Sequence, residues 1–268
     1  MRWNLGIDQK ISFSANLIYM FRHTGEARTL HHNLRIASLL SFVAGLVNVA
    51  GFLAVQRLTT NVTGHFAFFV DEVYKLDFLQ AFVFFLHIFF FFLGSFVSGF
   101  LVEWVHKKKE SYTYIIPALL ETLILCIVIF FGPYWINHNP DYVSFLLLFA
   151  MGLQNSLVTT ISNAIVRTTH LTGLFTDLGI EISQLFFYKA QHQQQKLKSS
   201  IRLRLTIISF FFLGGIMGGV LYGRLQIYVL SIAALALFLG ISFDYIRYRY
   251  LLLKRKYLLL GRNDKDAD

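Results

Sequence analysis

Long apolar runs separated by short polar breaks dominate the chain, and the runs exceed what a soluble helix or strand needs. About 20 consecutive apolar residues carry an α-helix across the roughly 30 Å hydrocarbon core of a bilayer. Six segments have or approach that length: Leu34–Val55, Phe78–Val102, Tyr114–Phe131, Tyr142–Ile165, Leu205–Leu221 and Ile227–Ile246. Trp104, Tyr112, Tyr134, Trp135, Tyr142, Tyr222, Tyr228 and Tyr245 fall near their ends, where amphipathic rings settle at a membrane–water boundary. The pattern predicts an all-α, polytopic membrane protein with six transmembrane helices.

Composition agrees. Of 268 residues, 56% are hydrophobic and 15% charged, against about 45–50% and about 25% in soluble domains. The formal charge of +9 would suggest a nucleic-acid partner in a soluble protein. Here the basic residues flank apolar runs, where they set orientation and meet anionic headgroups, so the expected partner is the lipid bilayer and not nucleic acid. With six alternating spans, all of the 24 Lys and Arg except Arg57, Lys75 and Arg224 fall on the N-terminal side. That asymmetry predicts cytoplasmic N- and C-termini, and the expected location is a bacterial cytoplasmic (inner) membrane. Residues 1–33 read as a cytoplasmic extension without a cleavable signal peptide, in which Ile11, Phe13, Leu17, Ile18 and Phe21 suit a membrane surface. Residues 247–268 read as a basic cytoplasmic tail. The single cysteine, Cys126, permits no disulfide within the chain and no paired metal ligands. No cofactor or metal is expected.

The two halves resemble each other. Thr59-Thr60-Asn61-Val62-Thr63-Gly64-His65-Phe66 returns 109 residues later as Thr168-Thr169-His170-Leu171-Thr172-Gly173-Leu174-Phe175, and Glu72 continues onto Glu181. Phe92-Leu93-Gly94-Ser95 through Gly99 returns 120 residues later as Phe212-Leu213-Gly214-Gly215 through Gly219. The polar stretch around Gln191–Ser200 accounts for the difference. A shorter match joins Gly45-Leu46-Val47-Asn48 to Gly152-Leu153-Gln154-Asn155. Matches in one order at a fixed period mark a structural repeat. They predict two three-helix units, residues 34–132 and 133–246. An odd number of spans per unit inverts the second copy, a plan that places transporter sites at the repeat interface.

Small residues four apart recur in the second and fifth runs: Gly94 with Ser98, Ser95 with Gly99, Gly214 with Gly218, and Gly215 with Gly219. This spacing lets helix backbones approach closely in lipid. It predicts that these two runs line the repeat interface.

Polar residues inside apolar runs need a partner or a cavity. Glu121, four residues after Pro117, reads either as a proton- or ion-linked group or as a hydrogen-bonded carboxyl between helices; Pro117 can kink its helix. His87 reads as a packing histidine. Asn48 and Asn155, at matched positions, can bridge helices or line a polar path. Gly64 and Gly173 can take a positive φ or admit a close approach, and Thr63 and Thr172 can cap the segments that follow. After Gly173, Asp177, Glu181 and Gln184 share one helical face, which predicts an amphipathic helix, surface-lying or re-entrant. Its N-terminus would favour an anion. His170, Asp177 and Glu181, with Glu72 at the matching place, equally suit a cation or proton.

Four segments together resemble the YoaK family of uncharacterised membrane proteins: Gly45-Leu46-Val47-Asn48-Val49-Ala50-Gly51-Phe52, Asn61-Val62-Thr63-Gly64, Gly152-Leu153-Gln154-Asn155-Ser156 and Thr168-Thr169-His170-Leu171-Thr172-Gly173. The resemblance runs from about Leu34 to Ile246. It implies the membrane architecture and no substrate. The family often has Asp where Asn48 stands and Asn where His65 stands.

No HExxH, G-x-S-x-G or Walker A motif is present, so nothing points to catalysis or to ATP-driven transport. The expected function is transport of a small solute or ion between the two units. The alternatives are a structural or partner-binding membrane subunit, for which a homo-oligomer stays open, and a membrane-embedded enzyme.

Overall fold

The computed structural model describes residues 29–107 and 113–263. The surface-lying residues expected in the N-terminal extension, Tyr112, and the tail beyond 263 lie outside the described residues. Within them are eight α-helices: α1 (Leu30–Val55), α2 (Val62–Tyr74), α3 (Phe78–His106), α4 (Ile115–His138), α5 (Pro140–Ile161), α6 (Leu171–Phe187), α7 (Gln191–Leu225) and α8 (Leu230–Asn263). A short 3-10 turn, Gln226–Val229, joins the last two.

Among the described residues, five helical stretches are long and apolar enough to cross a membrane: α1, α3, α4, α5 and Gln191–Arg247. Where the hydropathy pattern predicted separate fifth and sixth runs, the chain passes through the 3-10 turn with Gln226 at φ 49°, ψ −136°. The polar insertion Gln191–Ser200 forms the first turns of α7. The basic stretch after Ile246 likewise continues α8 to Asn263.

Local chemistry sets the helix ends. The Asn61 side chain accepts from Gly64 N (3.0 Å) and Asp77 accepts from Gln80 N (3.0 Å), capping α2 and α3. The capping role expected of Thr63 is therefore corrected: Asn61 supplies the cap and Thr63 lies inside the first turn. Thr172 is likewise already helical, after an N-cap at His170 that makes no side-chain bond. Pro117 is the third residue of α4, where its missing N–H is one of the orphan donors of a helix start. It introduces no kink there; the proline inside the helix is Pro133. α5 stops at Ile161, short of the predicted Ile165, because Asn163 and Ala164 take positive φ (53° and 62°) and Val166 N turns back to Ser162 Oγ (2.9 Å).

Apolar size is distributed inside-out, as lipid solvation allows. Phe82, Phe92, Phe96, Phe100 and Phe130 are exposed, whereas the centre holds the aliphatic faces of α1 and α5. Ile36, Leu40, Val43, Ala44, Leu46 and Val47 of α1, and Leu147, Met151, Leu153, Leu157 and Ile161 of α5, have almost no accessible surface. These two helices touch; α7 covers α1, α3 covers α5, and α4 and α8 close the bundle. α2 rides on α3, and α6 on α7.

Glycine makes the two main crossings. A Cβ on Gly94 of α3 would overlap the Phe149 carbonyl of α5, and one on Gly152 would overlap the Phe91 carbonyl. On the other side, Gly214 of α7 faces the Phe42 carbonyl of α1, and Gly45 faces that of Phe211. Each crossing thus uses one glycine per helix. Ser95 Oγ also donates to Gly152 O (3.1 Å). The faces holding Gly94 and Gly214 meet α5 and α1, each in the other half of the chain. The remaining small residues are not equally needed. Gly215 and Gly218 have neighbours at 3.1 Å, whereas Gly99 and Gly219 have room for a methyl group. Ser98 is fully buried.

Candidate functional site

The segments after α1 and α5 fold back along the helices that precede them. Thr59 Oγ1 donates to Val47 O (3.2 Å), and Thr60 Oγ1 donates to Asn48 Oδ1 (2.6 Å). Correspondingly, Thr169 Oγ1 donates to Asn155 Oδ1 (2.9 Å), while Gln154 Nε2 donates to Thr168 Oγ1 (3.1 Å) and to Leu40 O (3.0 Å). The anchoring residues lie six to eight residues before the ends of their helices, or about 10 Å back at 1.5 Å per residue. α2 and α6 therefore begin alongside α1 and α5, short of their ends, with Asn61, Thr63, His170 and Thr172 exposed. Of the candidates named from sequence, Asn48 and Asn155 are the anchors of these two clasps. The threonines that grip them lay inside the repeat match. Gln154, which ties α5 to α1, carried no sequence signal beyond a polar residue in an apolar run.

Gly64 and Gly173 stand in the first turns of α2 and α6 without positive φ, so the close-approach reading is the relevant one. A Cβ on Gly64 would strike Leu58, and one on Gly173 would stand 2.6 Å from the His170 ring. The neighbours are side chains of the folded-back segments, not another helix backbone.

At the α2 end a polar cluster joins four parts of the chain. His65 of α2 and His87 of α3 are both fully buried and stack with ring centroids 4.4 Å apart. His65 Nε2 meets Leu58 O (2.5 Å); His87 Nδ1 meets Val83 O (2.8 Å), and its Nε2 meets Ser144 Oγ of α5 (2.7 Å). Asp141 Oδ1 lies 3.7 Å from His87 Nε2 and 3.6 Å from Arg57 Nε. Arg57 also lies over the Phe84 ring. His65 Nδ1, Arg57 Nε and Asp141 Oδ1 are buried atoms without a hydrogen bond. Burial, reinforced by the Arg57 charge, holds the His65 imidazole below the ordinary histidine range, against the smaller pull of its Leu58 hydrogen bond and of Asp141. His87 is buried with both ring nitrogens partnered, as a packing histidine should be, but the cluster around it was not anticipated. The available signal was Arg57, one of three basic residues on the sparsely charged side.

At the α6 end the predicted acidic face meets a permanent cation. Arg204 of α7 forks onto Glu181 (Nε–Oε2 2.9 Å, Nη2–Oε1 3.0 Å), and its Nη1 reaches Asp177 Oδ2 (2.9 Å). Ser200 Oγ donates to Glu181 Oε1 (2.6 Å). Asp177 and Glu181 are thus tied to α7. Glu72, the match of Glu181, pairs with Lys75 one turn along its own exposed helix (3.0 Å). An open groove lined by Leu185, Lys198, Ile201 and Arg202 shares no residue with either clasp.

Glu121 stands apart. It is fully buried in α4, and neither carboxyl oxygen has a hydrogen-bond partner. Among the described residues, no group of three His, Cys, Asp or Glu is placed to hold a metal ion.

Apolar helices of spanning length, with Phe outside and small residues at the crossings, define an all-helical, multi-pass integral membrane protein. Residues 36–243 match a family described as protein of unknown function (DUF1275), and the chain belongs to it. No curated protein and no solved structure matches.

Proposed function

We infer that the protein carries a small solute or ion across the membrane at the interface of two inverted three-span units, with both termini cytoplasmic, and that the YoaK resemblance describes this same family. On this reading α7 and α8 are separate spans. Their combined 57-residue stretch would be about 85 Å long as a straight helix, far beyond one bilayer crossing, and both helices touch α1.

The observation that carries the reading is the pair of clasps. Asn48 with Thr60, and Asn155 with Thr169, each fold the chain back along a spanning helix before a short helix, at corresponding places in the two halves. Discontinuous helices that begin at membrane depth are how carriers bring polar backbone to a solute, and their N-termini attract negative charge. The crossings point the same way, because Gly45–Gly214 and Gly152–Gly94 exchange partners between the halves.

A second reading, a non-transporting membrane subunit, draws on the centre. The α1–α5 layer between the clasps is filled with aliphatic side chains. In a carrier this layer is the closed gate.

The test is flux into liposomes holding the pure protein, screened with small anions, cations and neutral metabolites, with and without a proton gradient. Asn48→Val and Asn155→Val are expected to cut flux at least tenfold while the protein remains folded. If wild-type protein moves none of the solutes and copurifies with a second membrane protein, the subunit reading replaces this one.

A further inference from the structure

The α2-end cluster has a geometry that a static ion pair lacks. One carboxylate oxygen, Asp141 Oδ1, is almost equidistant from a permanent cation, Arg57 Nε at 3.6 Å, and from a titratable nitrogen, His87 Nε2 at 3.7 Å. It hydrogen-bonds to neither, although Arg57 Nε and Asp141 Oδ1 are both shut off from water. Leaving such atoms unpaired is costly, most of all for charged groups, so the arrangement lies between two better-paired ones.

We propose that Asp141 is a two-position partner: it pairs with Arg57 while the His65–His87 pair is neutral, and with His87 once that pair takes up one proton. The cluster is then the proton-binding site of the carrier. This rests on the transport reading and names its driving ion.

The proton inventory supports a single site. In the neutral state His87 Nδ1–H donates to Val83 O, so its Nε2 is the acceptor facing Ser144. Ser144 has one hydroxyl hydrogen and two acceptors in reach, His87 Nε2 at 2.7 Å and Asp141 O at 2.9 Å. A proton arriving at His87 Nε2 turns that nitrogen into a donor towards Ser144 Oγ and the Asp141 carboxylate, and the hydroxyl then donates to Asp141 O. No other covalent bond changes. The second imidazole stays neutral, since two like charges with ring centroids 4.4 Å apart repel strongly in a dry site. The charged or titratable groups facing the pair come from every neighbouring element: Arg57 after α1, His65 on α2, His87 on α3 and Asp141 on α5.

Access is one-sided. The side chains of Arg57 and Asp141 are each one-third exposed, whereas both imidazoles are buried. In the proposed orientation that opening faces outward. Proton uptake releases Arg57, which lies in the turn leading to Thr59, Thr60 and α2, so the proton is coupled to the outward clasp.

Nitrogen NMR of histidine- and arginine-labelled protein in lipid nanodiscs, from pH 8 to about 3.5, tests this directly. One imidazole of the pair is expected to charge, and the Arg57 Nε–H to lose protection over the same pH range. Arg57→Gln should raise the proton affinity of the pair at least tenfold, and Asp141→Asn should lower it at least tenfold. In His87→Asn, Arg57 should no longer respond to pH. Should Asp141→Asn not fold, the Arg57→Gln shift and the His87→Asn loss of response suffice. Imidazoles that stay neutral to about pH 3.5 in both wild type and Arg57→Gln overturn the proposal, as does an Arg57 signal indifferent to their charge. Proton uptake without solute flux would leave this site standing and remove the carrier reading; flux with silent imidazoles would do the reverse.

Discussion

At one end of the molecule Arg57 stands 3.6 Å from Asp141 without a hydrogen bond; at the other, Arg204 forks onto Glu181 and also reaches Asp177. Arg204 ties the short helix α6 to α7, whereas Arg57 lies in the turn that leads into the short helix α2. Behind Arg57 lies a buried, stacked pair of imidazoles. Behind Arg204 lie a serine, Ser200, and the carboxylates of Glu181 and Asp177, each held by a direct contact. The lesson is that one helical frame carries a loose, titratable end and a tight, permanent one. Asymmetry of this kind resides in a few side chains and not in the backbone plan.

The largest effect belongs to the shared frame. A methyl group on Gly94 overlaps the Phe149 carbonyl, and one on Gly214 overlaps that of Phe42. Backbone cannot yield as a flexible side chain does, so Gly94→Ala and Gly214→Ala should each destabilise by about 3 kcal/mol, despite the gain of about 1 kcal/mol in helix propensity. Thermal unfolding in detergent measures this. Similar losses would place the difference between the ends outside the crossings; tolerance of one substitution alone would break the comparison at its base.

Next in size is the contrast between the arginines themselves. Arg204→Gln removes a charge-assisted fork and should cost about 2–3 kcal/mol. Arg57→Gln removes no hydrogen bond to Asp141 and should cost below about 1 kcal/mol. Equal costs in the same melting assay would show that the α2 end is as tightly held as the α6 end.

The ends should also differ in their response to acid. Folding holds the His65 pKa below its unfolded value, so the unfolded chain binds more protons between the two. Stability is therefore full above about pH 6.5 and falls as pH drops below it. Hydrogen exchange from α2 should speed up between pH 7 and 5 while exchange from α6, corrected for intrinsic rates, does not. His65→Asn should flatten the α2 response. An α6 segment that loosens equally would assign the effect to the whole fold.

Much of the frame was legible because membrane spans announce themselves by length and apolarity. The starts of α1, α3 and α4 fell within a few residues of the hydropathy edges. The errors have local causes. Gln191–Ser200 stood out only as a polar insertion between the repeat matches; its Gln and Lys residues are good helix formers and extend α7 beyond the apolar run. Thr63 looked like a cap because it precedes a glycine, but Asn61 two residues earlier has the geometry to accept from Gly64 N. Of the site, Asn48 and Asn155 were legible as matched polar residues in spans. The Arg57–His65–His87–Asp141 cluster was not, since its members come from four elements and none is paired in sequence. Ion pairing of Asp177 and Glu181 was equally hidden, because Arg204 lies more than twenty residues away.

The smallest expected effect is at Glu121, whose surroundings belong to neither end. Its carboxyl oxygens have no partner within the fold, so there is no hydrogen bond to lose. Glu121→Gln keeps the shape and should change stability by less than about 0.5 kcal/mol, while Glu121→Leu removes an unsatisfied buried polar group and should stabilise by about 1 kcal/mol. Melting temperatures of both variants against wild type decide the structural question, and liposome flux decides the other. Unchanged melting with unchanged flux makes Glu121 a tolerated burial and leaves the clasp ends as the working parts. Unchanged melting with lost flux would make α4 a third working region, one that the contrast between Arg57 and Arg204 does not contain.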